Sequence, residues 1–538
     1  MRHFVCLVFV AAAGLAVADH PDSSKRKAVL LEGLGDVHHP VATKSAEAQK
    51  FFDQGLRLIY AFNHEEAVLA FQRAGELDPE LAMAPWGVAL ALGPNYNLDA
   101  EPDKIKAAYQ ALEQAQKLAA KAPEHERAYV DALSKRYAAD PAKADKKQLA
   151  SAYKQAMGEL SKSYPDDLDA ATLYAESMMN LRPWELWSAD GKPATDTLEI
   201  IEVLEGVLSR NPRHTGANHY LIHAVEASPR SERGLAAAHA LEHLAPGAGH
   251  LVHMPAHIYM RVGDYDAAAR ANEKAAAVDR AYIEKFKVRG VYPMMYYSHN
   301  LHFLAVAHAM QGRFADAKKA ADQLAEHVGP HVAEMPMLEF FLPTPMLTLV
   351  RFQRWDDVLA QPAPPAKQPI VKTIWHFGRG LALVSKERYE DAEKELEALR
   401  ATTKDIPEDV AFGDRNKARP VLVVPEQLLA GRLALAKGRR AEGFKHLERA
   451  VQAEDGLNYI EPSDWHLPSR ETLAAVHLRM GEAAPAERIF REDLARNRRN
   501  GRSLYGLVLS LRAQAKMHAA DLVQQEFSAA WRRADVKL

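Results

Sequence analysis

The chain has 538 residues, 48% of them hydrophobic, with a formal charge of −3 at neutral pH. That length and apolar share suit a soluble globular protein, built as several domains or as one extended array. A charge so near zero gives no basic field to collect nucleic acid or anionic lipid, so neither is an expected partner.

The N-terminus reads as an export signal. Arg2 precedes an apolar run from Phe4 to Val17 that ends in Ala16-Val17-Ala18, the pattern of a positive start, an apolar middle and a small-residue cleavage site. Residues 1–18 are therefore expected to be removed, with the mature protein starting at Asp19 in the periplasm or the medium. The run is short for a bilayer, and no later stretch reaches the roughly 18 to 20 apolar residues of a membrane helix. The single cysteine, Cys6, would leave with the signal. Any metal site must then use His, Asp, Glu or Met.

After a polar arm over residues 19–45, Ala46 to Pro79 reads AEAQKFFDQGLRLIYAFNHEEAVLAFQRAGELDP. With Ala48 as position 1, Phe51 falls at 4, Gly55 at 8, Ala67 at 20, Phe71 at 24, Ala74 at 27 and Pro79 at 32. This resembles the tetratricopeptide repeat, a 34-residue pair of antiparallel helices with small residues at the crossing. Second-helix segments of the same kind recur at Val262–Asp279, Gln311–His327, Lys386–Arg400, Lys437–Asp455 and Met480–Asn497. The stretch from Asn95 to Lys147 has helical periodicity without the landmark residues and reads as degenerate hairpins. Strand signals are nearly absent. The expected fold is all-α, a right-handed α-solenoid of roughly ten helical pairs in which each repeat touches mainly its neighbours. Gln361–Pro369 (QPAPPAKQP) is the most linker-like stretch. It divides the repeats into 46–360 and 361–538, and the polar segment from Lys404 to Pro420 is expected to fold over the concave face.

Between Thr215 and Gln311 three predicted first helices carry histidine at helical spacing: NHYLIHAVE, GHLVHMPAHIY and YSHNLHFLAVAH. Residues three and four apart share a helix face. The register comes from Pro246, Gly263 and Gly312 in the flanking second helices. It puts His219, His223 and Glu226 at positions 5, 9 and 12 of one repeat. His250, His253 and His257 take 2, 5 and 9 of the next, and His299 and His302 take 2 and 5 of the third. The resemblance implies that first-helix positions 2, 5, 9 and 12 face the concave groove, where ligands usually bind. A lone histidine on an amphipathic helix is commonly a satisfied polar residue, and His239, His243 and His327 are read that way.

His-x3-His on a helix points two imidazoles the same way, and a carboxylate completes the shell of a metal ion. The candidate ligands are His219, His223, Glu226, His250, His253, His257, His299 and His302. Copper, zinc and iron suit such donors, and Met254, Met294 and Met295 beside them favour copper. So many imidazoles exceed one tetrahedral ion, leaving either two ions or a division between ligands and supporting residues. Glu176, Glu334, Glu339, Glu461, Trp465 and His466 are further groove candidates, with core anchors and solvated faces as the bland alternative.

Together, FFDQGLRLIYAFNHEEA, NLRPWELW, GHLVHMPAHIY and NGRSLYGL resemble exported bacterial tetratricopeptide proteins. Repeat scaffolds host unrelated functions, so this bears on fold rather than chemistry. The sequence supports two functions: a transition-metal site in the groove, with redox or hydrolytic chemistry if the protein is an enzyme, or a periplasmic scaffold that binds a protein, peptide or small ligand without metal.

Overall fold

The computed structural model describes residues 26–538. The expected signal over 1–18 and its cleavage point lie outside them. The structure is 68% helical, against roughly a third in ordinary domains. Helical hairpins follow one another along the chain. Ala46–Tyr60 pairs with His64–Leu77, Leu168–Met179 with Thr197–Arg210, and Thr215–Val225 with Leu235–Leu244. Gly249–His253 and Pro255–Val262 form one broken helix that pairs with Tyr265–Phe286, and Ser298–Met310 pairs with Phe314–Val328. Further hairpins follow, among them Pro369–Ser385 with Tyr389–Asp405, Ala418–Ala436 with Arg440–Asp455, and Gly501–Ala513 with Met517–Ala530. The degenerate region holds Pro102–Ala119 and Glu124–Ser134, and Lys146–Ser163 begins at its end. The chain is an all-α solenoid of tetratricopeptide-like pairs.

The local causes are visible at the helix ends and crossings. The side chains of Ser45, Asp145, Asp167 and Asp264 each accept a hydrogen bond from a first-turn N–H of the helix that follows, which satisfies a donor the helix itself leaves open. At the first crossing a Cβ on Gly55 would lie 2.6 Å from the Phe71 ring, and Ala67 is fully buried. Only small residues let these helices approach so closely.

Contacts between neighbouring helices predominate, as expected, but they do not describe the whole molecule. The superhelix curls until its start meets its middle. Ala46–Tyr60 packs on Thr215–Val225, where a Cβ on Gly216 would come within 2.5 Å of the Tyr60 ring. The end returns as well: Tyr265 donates its hydroxyl to the Arg498 carbonyl at 2.9 Å, and Trp531 lies against Gly312. The N-terminal arm is fastened down, with Gly247 N–H donating to the Gly33 carbonyl at 2.8 Å and Arg213 paired with Asp36 at 2.9 Å. Closing the spiral removes apolar surface from water that an open one would expose. One apolar cluster draws on residues from Leu34 to Ala321, and a second on residues from Met346 to Ala520.

The Pro-rich stretch is a loop between Trp355–Ala360 and Pro369–Ser385, tied by Trp375 Nε1–H to the Gln361 carbonyl at 3.1 Å. Lys404–Pro420 contains a two-stranded hairpin, Ala411–Phe412 with Asn416–Lys417, and its Arg415 reaches Glu185 at 3.0 Å. No helix among the described residues is long and apolar enough to cross a membrane.

Candidate metal centre

The histidines do not line an open groove. His219 and His253 are 0% exposed and His302 only 5%, while His299 is partly buried. Curling of the superhelix fills the concave side. Phe62 from the first hairpin stacks on His223 and His250, while Tyr459 from the far half reaches Glu226 at 3.4 Å.

Three first helices supply the rings. In Thr215–Val225 every residue is buried, so His219 and His223 leave water completely. The next helix breaks at Met254 because Pro255 has no N–H to continue the ladder. His253 and His257 flank that break. A π-helical turn, Tyr292–Tyr297, runs into Ser298–Met310 just before His299, a widening often found at functional sites.

Hydrogen-bond partners assign the tautomers. His219 Nδ1 faces the Tyr60 carbonyl at 2.7 Å, and His223 Nδ1 faces Glu226 Oε1 at 2.7 Å. His257 Nδ1 faces Glu226 Oε2 at 2.5 Å. His253 Nδ1 faces Asn272 Oδ1 at 2.7 Å, and Asn272 is oriented by donating its own Nδ2–H to the Ala268 carbonyl at 2.8 Å. All four partners are acceptors, so Nδ1 carries a proton on each ring, and on a neutral ring Nε2 is then a lone pair.

The Nε2 atoms converge. His253 Nε2 and His257 Nε2 are 2.9 Å apart, a contact that takes a proton or a metal ion between them. His219 Nε2 and His250 Nε2 are 3.2 Å apart, within reach of a hydrogen bond from one ring to the other or of a shared ion. His223 Nε2 is buried without a partner. Ring nitrogens of His219, His223 and His250 lie within 4.8 Å of one another, and so do those of His253, His257 and His299. Two nitrogens bound to one ion at about 2.0–2.1 Å sit roughly 2.9–3.4 Å apart, the separation of both pairs.

Burial holds His219, His250, His253 and His299 well below the ordinary imidazole pKa. Burial lowers His223 too, against the pull of Glu226. These rings are neutral, the form that binds metal. Burial alone would raise Glu226, but the His257 and His223 imidazoles bring it down to about 2. Its carboxylate bonds two ligand-type rings through their far nitrogens, the arrangement by which proteins orient metal-binding histidines.

Other candidates fall elsewhere. His302 faces Phe341 and His466, with ring centroids 5.6 and 5.7 Å away. Glu176 is buried and accepts from Asn180. Glu339 caps Pro369–Ser385 through the Ile370 and Val371 N–H groups, Glu334 is exposed, and Trp465 is a core anchor. Glu461 accepts from the Tyr459 hydroxyl at 3.2 Å. Met254 and Met294 sit in apolar clusters, with Met295 packed alongside. Sequence reading missed Tyr60, Phe62, Asn272 and Tyr459. Of these only Asn272, a polar residue in an alanine-rich helix, left a signal.

A cavity of about 860 Å³ lies away from these triads, lined by His38, His39, Asp167, Asp169, Arg213 and His214 among others. His39 Nδ1 donates to Asp169 Oδ2 at 3.0 Å, and the Tyr60 hydroxyl donates to Asp169 Oδ1 at 2.6 Å. Tyr60 thus touches this cavity's carboxylate with its hydroxyl and the histidine centre with its carbonyl.

No family model matches the sequence, and no curated protein matches it. Solved structures do. They include the human IFIT1 dimer with m7Gppp-AAAA, at 15% identity over 91% of each chain and a TM-score of 0.33. The Cut9–Hcn1 hetero-tetramer of the APC/C matches at 11% over 91% of this chain and 80% of that one, TM-score 0.37. Yeast Tom70 matches at 12% over 89% and 96%, TM-score 0.31. On the evidence of its own hairpins, the chain is a tetratricopeptide-like helical solenoid.

Proposed function

We propose that this solenoid is a metal-binding protein that holds a transition ion in its interior, exported if residues 1–18 act as a signal. The observation that carries this reading is the His253–His257 pair. Two buried ring nitrogens 2.9 Å apart, each ring with its Nδ1–H committed elsewhere, need a positive charge between them, and a transition ion or a proton can take that place. All-imidazole donors suit zinc, copper and iron. The methionines that pointed to copper pack in apolar clusters and give no ground for preferring it. A bound ion would supply Lewis acidity or a redox couple to the buried site.

The test is metal analysis of the full chain purified from its native compartment without added metal. A stoichiometric transition ion supports the proposal. Protein that is empty and, after chelation, takes up none of zinc, copper or iron in titration overturns it. N-terminal sequencing of the same sample tests export: Asp19 is expected, and Met1 in a cytosolic fraction refutes it.

A second reading, the ligand-binding scaffold, rests on the 860 Å³ cavity, which has the size of a small-molecule site. It predicts a retained ligand or partner that dissociates on Asp169→Asn and is indifferent to chelators.

A further inference from the structure

The two triads are the same site made twice. His219 and His223 occupy positions 5 and 9 of one repeat, and His250 occupies position 2 of the next. His253 and His257 occupy positions 5 and 9 of that next repeat, and His299 occupies position 2 of the third. The geometry repeats with the register. In each triad the position-5 ring is a hub. His219 has His223 and His250 at 4.9 Å, and His253 has His257 and His299 at 4.8 and 4.9 Å, centroid to centroid. The same positions of successive repeats build both triads, although the short Nε2–Nε2 contact runs from position 5 to position 2 in the first and from position 5 to position 9 in the second.

We infer that the centre binds two ions, one per triad, with Glu226 in the outer shell of both and a ligand of neither. The inference rests on the metal reading above and adds the number of ions, their ligand sets and the task of the carboxylate. Glu226 Oε1 accepts from His223 of the first triad and Oε2 from His257 of the second. Both oxygens are spent on Nδ1–H groups, so the carboxylate orients one ring of each site and sets a negative charge between two cations. The same rule says where the series stops. His302 is at position 5 of the third repeat, but position 9 there is Val306, and His302 turns to Phe341 and His466 instead. On the other side, the repeat that begins at Leu168 has Thr172 at position 5, so no triad precedes His219.

The experiment is a count of zinc ions on the chelator-stripped full chain by native mass spectrometry, with affinities from competition against a chromophoric chelator. Two ions are expected on the parent. One should remain in His219→Ala/His223→Ala, one in His253→Ala/His257→Ala, and none above background when all four are replaced. Glu226→Gln should keep two sites but weaken zinc tenfold or more at one of them, as loss of an orienting partner does. A parent that saturates at one ion overturns the inference and leaves the metal reading standing, and so does a parent from which either double variant removes all binding. A parent that binds no ion sinks both. The count on the parent needs no variant to fold.

Discussion

Two histidine–carboxylate contacts in this molecule look alike at first sight and differ in every respect that matters. In the C-terminal half His376 Nδ1 meets Glu395 at 2.6 Å, and Arg379 shares the same carboxylate at 2.8 Å. That is one imidazole per carboxylate, at the edge of an amphipathic hairpin, with a guanidinium alongside. In the central repeats one carboxylate serves His223 and His257, the nearby Arg261 guanidinium donates to the Glu226 main-chain carbonyl at 3.0 Å rather than to the carboxylate, and the far nitrogens of both rings turn inward. The comparison teaches that the contact itself carries little. What marks a site is the company of the second nitrogen: His223 and His257 each belong to a triad whose ring nitrogens lie within 4.8 Å of one another, and His376 belongs to no such group among the described residues.

The largest effect that breaks the comparison is loss of metal. His253→Ala with His257→Ala should lower bound metal by half or more, while His376→Ala leaves it unchanged; plasma emission analysis of both proteins decides. If His376→Ala matters equally, the distinction fails.

Next comes acid. Burial holds His302 and His308 down at about 4. The unfolded chain takes up those protons below about pH 6.5, where the folded one does not, so stability falls as pH drops through that window. Each group contributes at most about 3 kcal/mol by pH 4. Thermal melts of the metal-free chain at pH 7.5, 6 and 5 should show a falling midpoint. A flat profile would place these rings in water.

A packing change comes third. Gly216→Leu drives a side chain into the Tyr60 ring, at a cost of roughly 1–3 kcal/mol or more, and should weaken metal binding by shifting the carbonyl that orients His219. Gly206→Ala, which meets nothing within 4 Å, should do neither. Equal melts and equal affinities for these two would show that the first hairpin does not position the centre. The smallest effect is at His376 itself. Replacing it by alanine removes one hydrogen bond, worth about 1 kcal/mol, measurable as a shift in denaturant midpoint without change in slope.

Most of the fold was legible because its determinants are local. Gly55, Ala67 and Phe71 meet as their spacing requires, and Asp78-Pro79 ends the second helix where the template puts it. The register of the histidines was legible for the same reason, since positions 2, 5 and 9 follow from counting. What the chain concealed was curvature. Small rotations between successive hairpins accumulate, and no single residue announces that Tyr60 will meet Gly216 or that Tyr459 will meet Glu226. Burial of the centre and its partners Tyr60, Phe62 and Tyr459 depend on that accumulated turn. A carbonyl such as that of Tyr60 has no identity in sequence at all. Asn272 lies close enough in the chain to have been found.

The cover supplied by Tyr459 has a meaning in time. A ribosome adds about 5–20 residues per second, so the ~200 residues between His257 and Tyr459 take on the order of 10–40 s to appear. Over that interval the segment that closes over the histidine helices has not yet been made. On the proposed metal reading, an ion would enter the half-made spiral more readily than it would leave the finished one. Exchange in the mature protein should therefore be far slower than capture during its assembly.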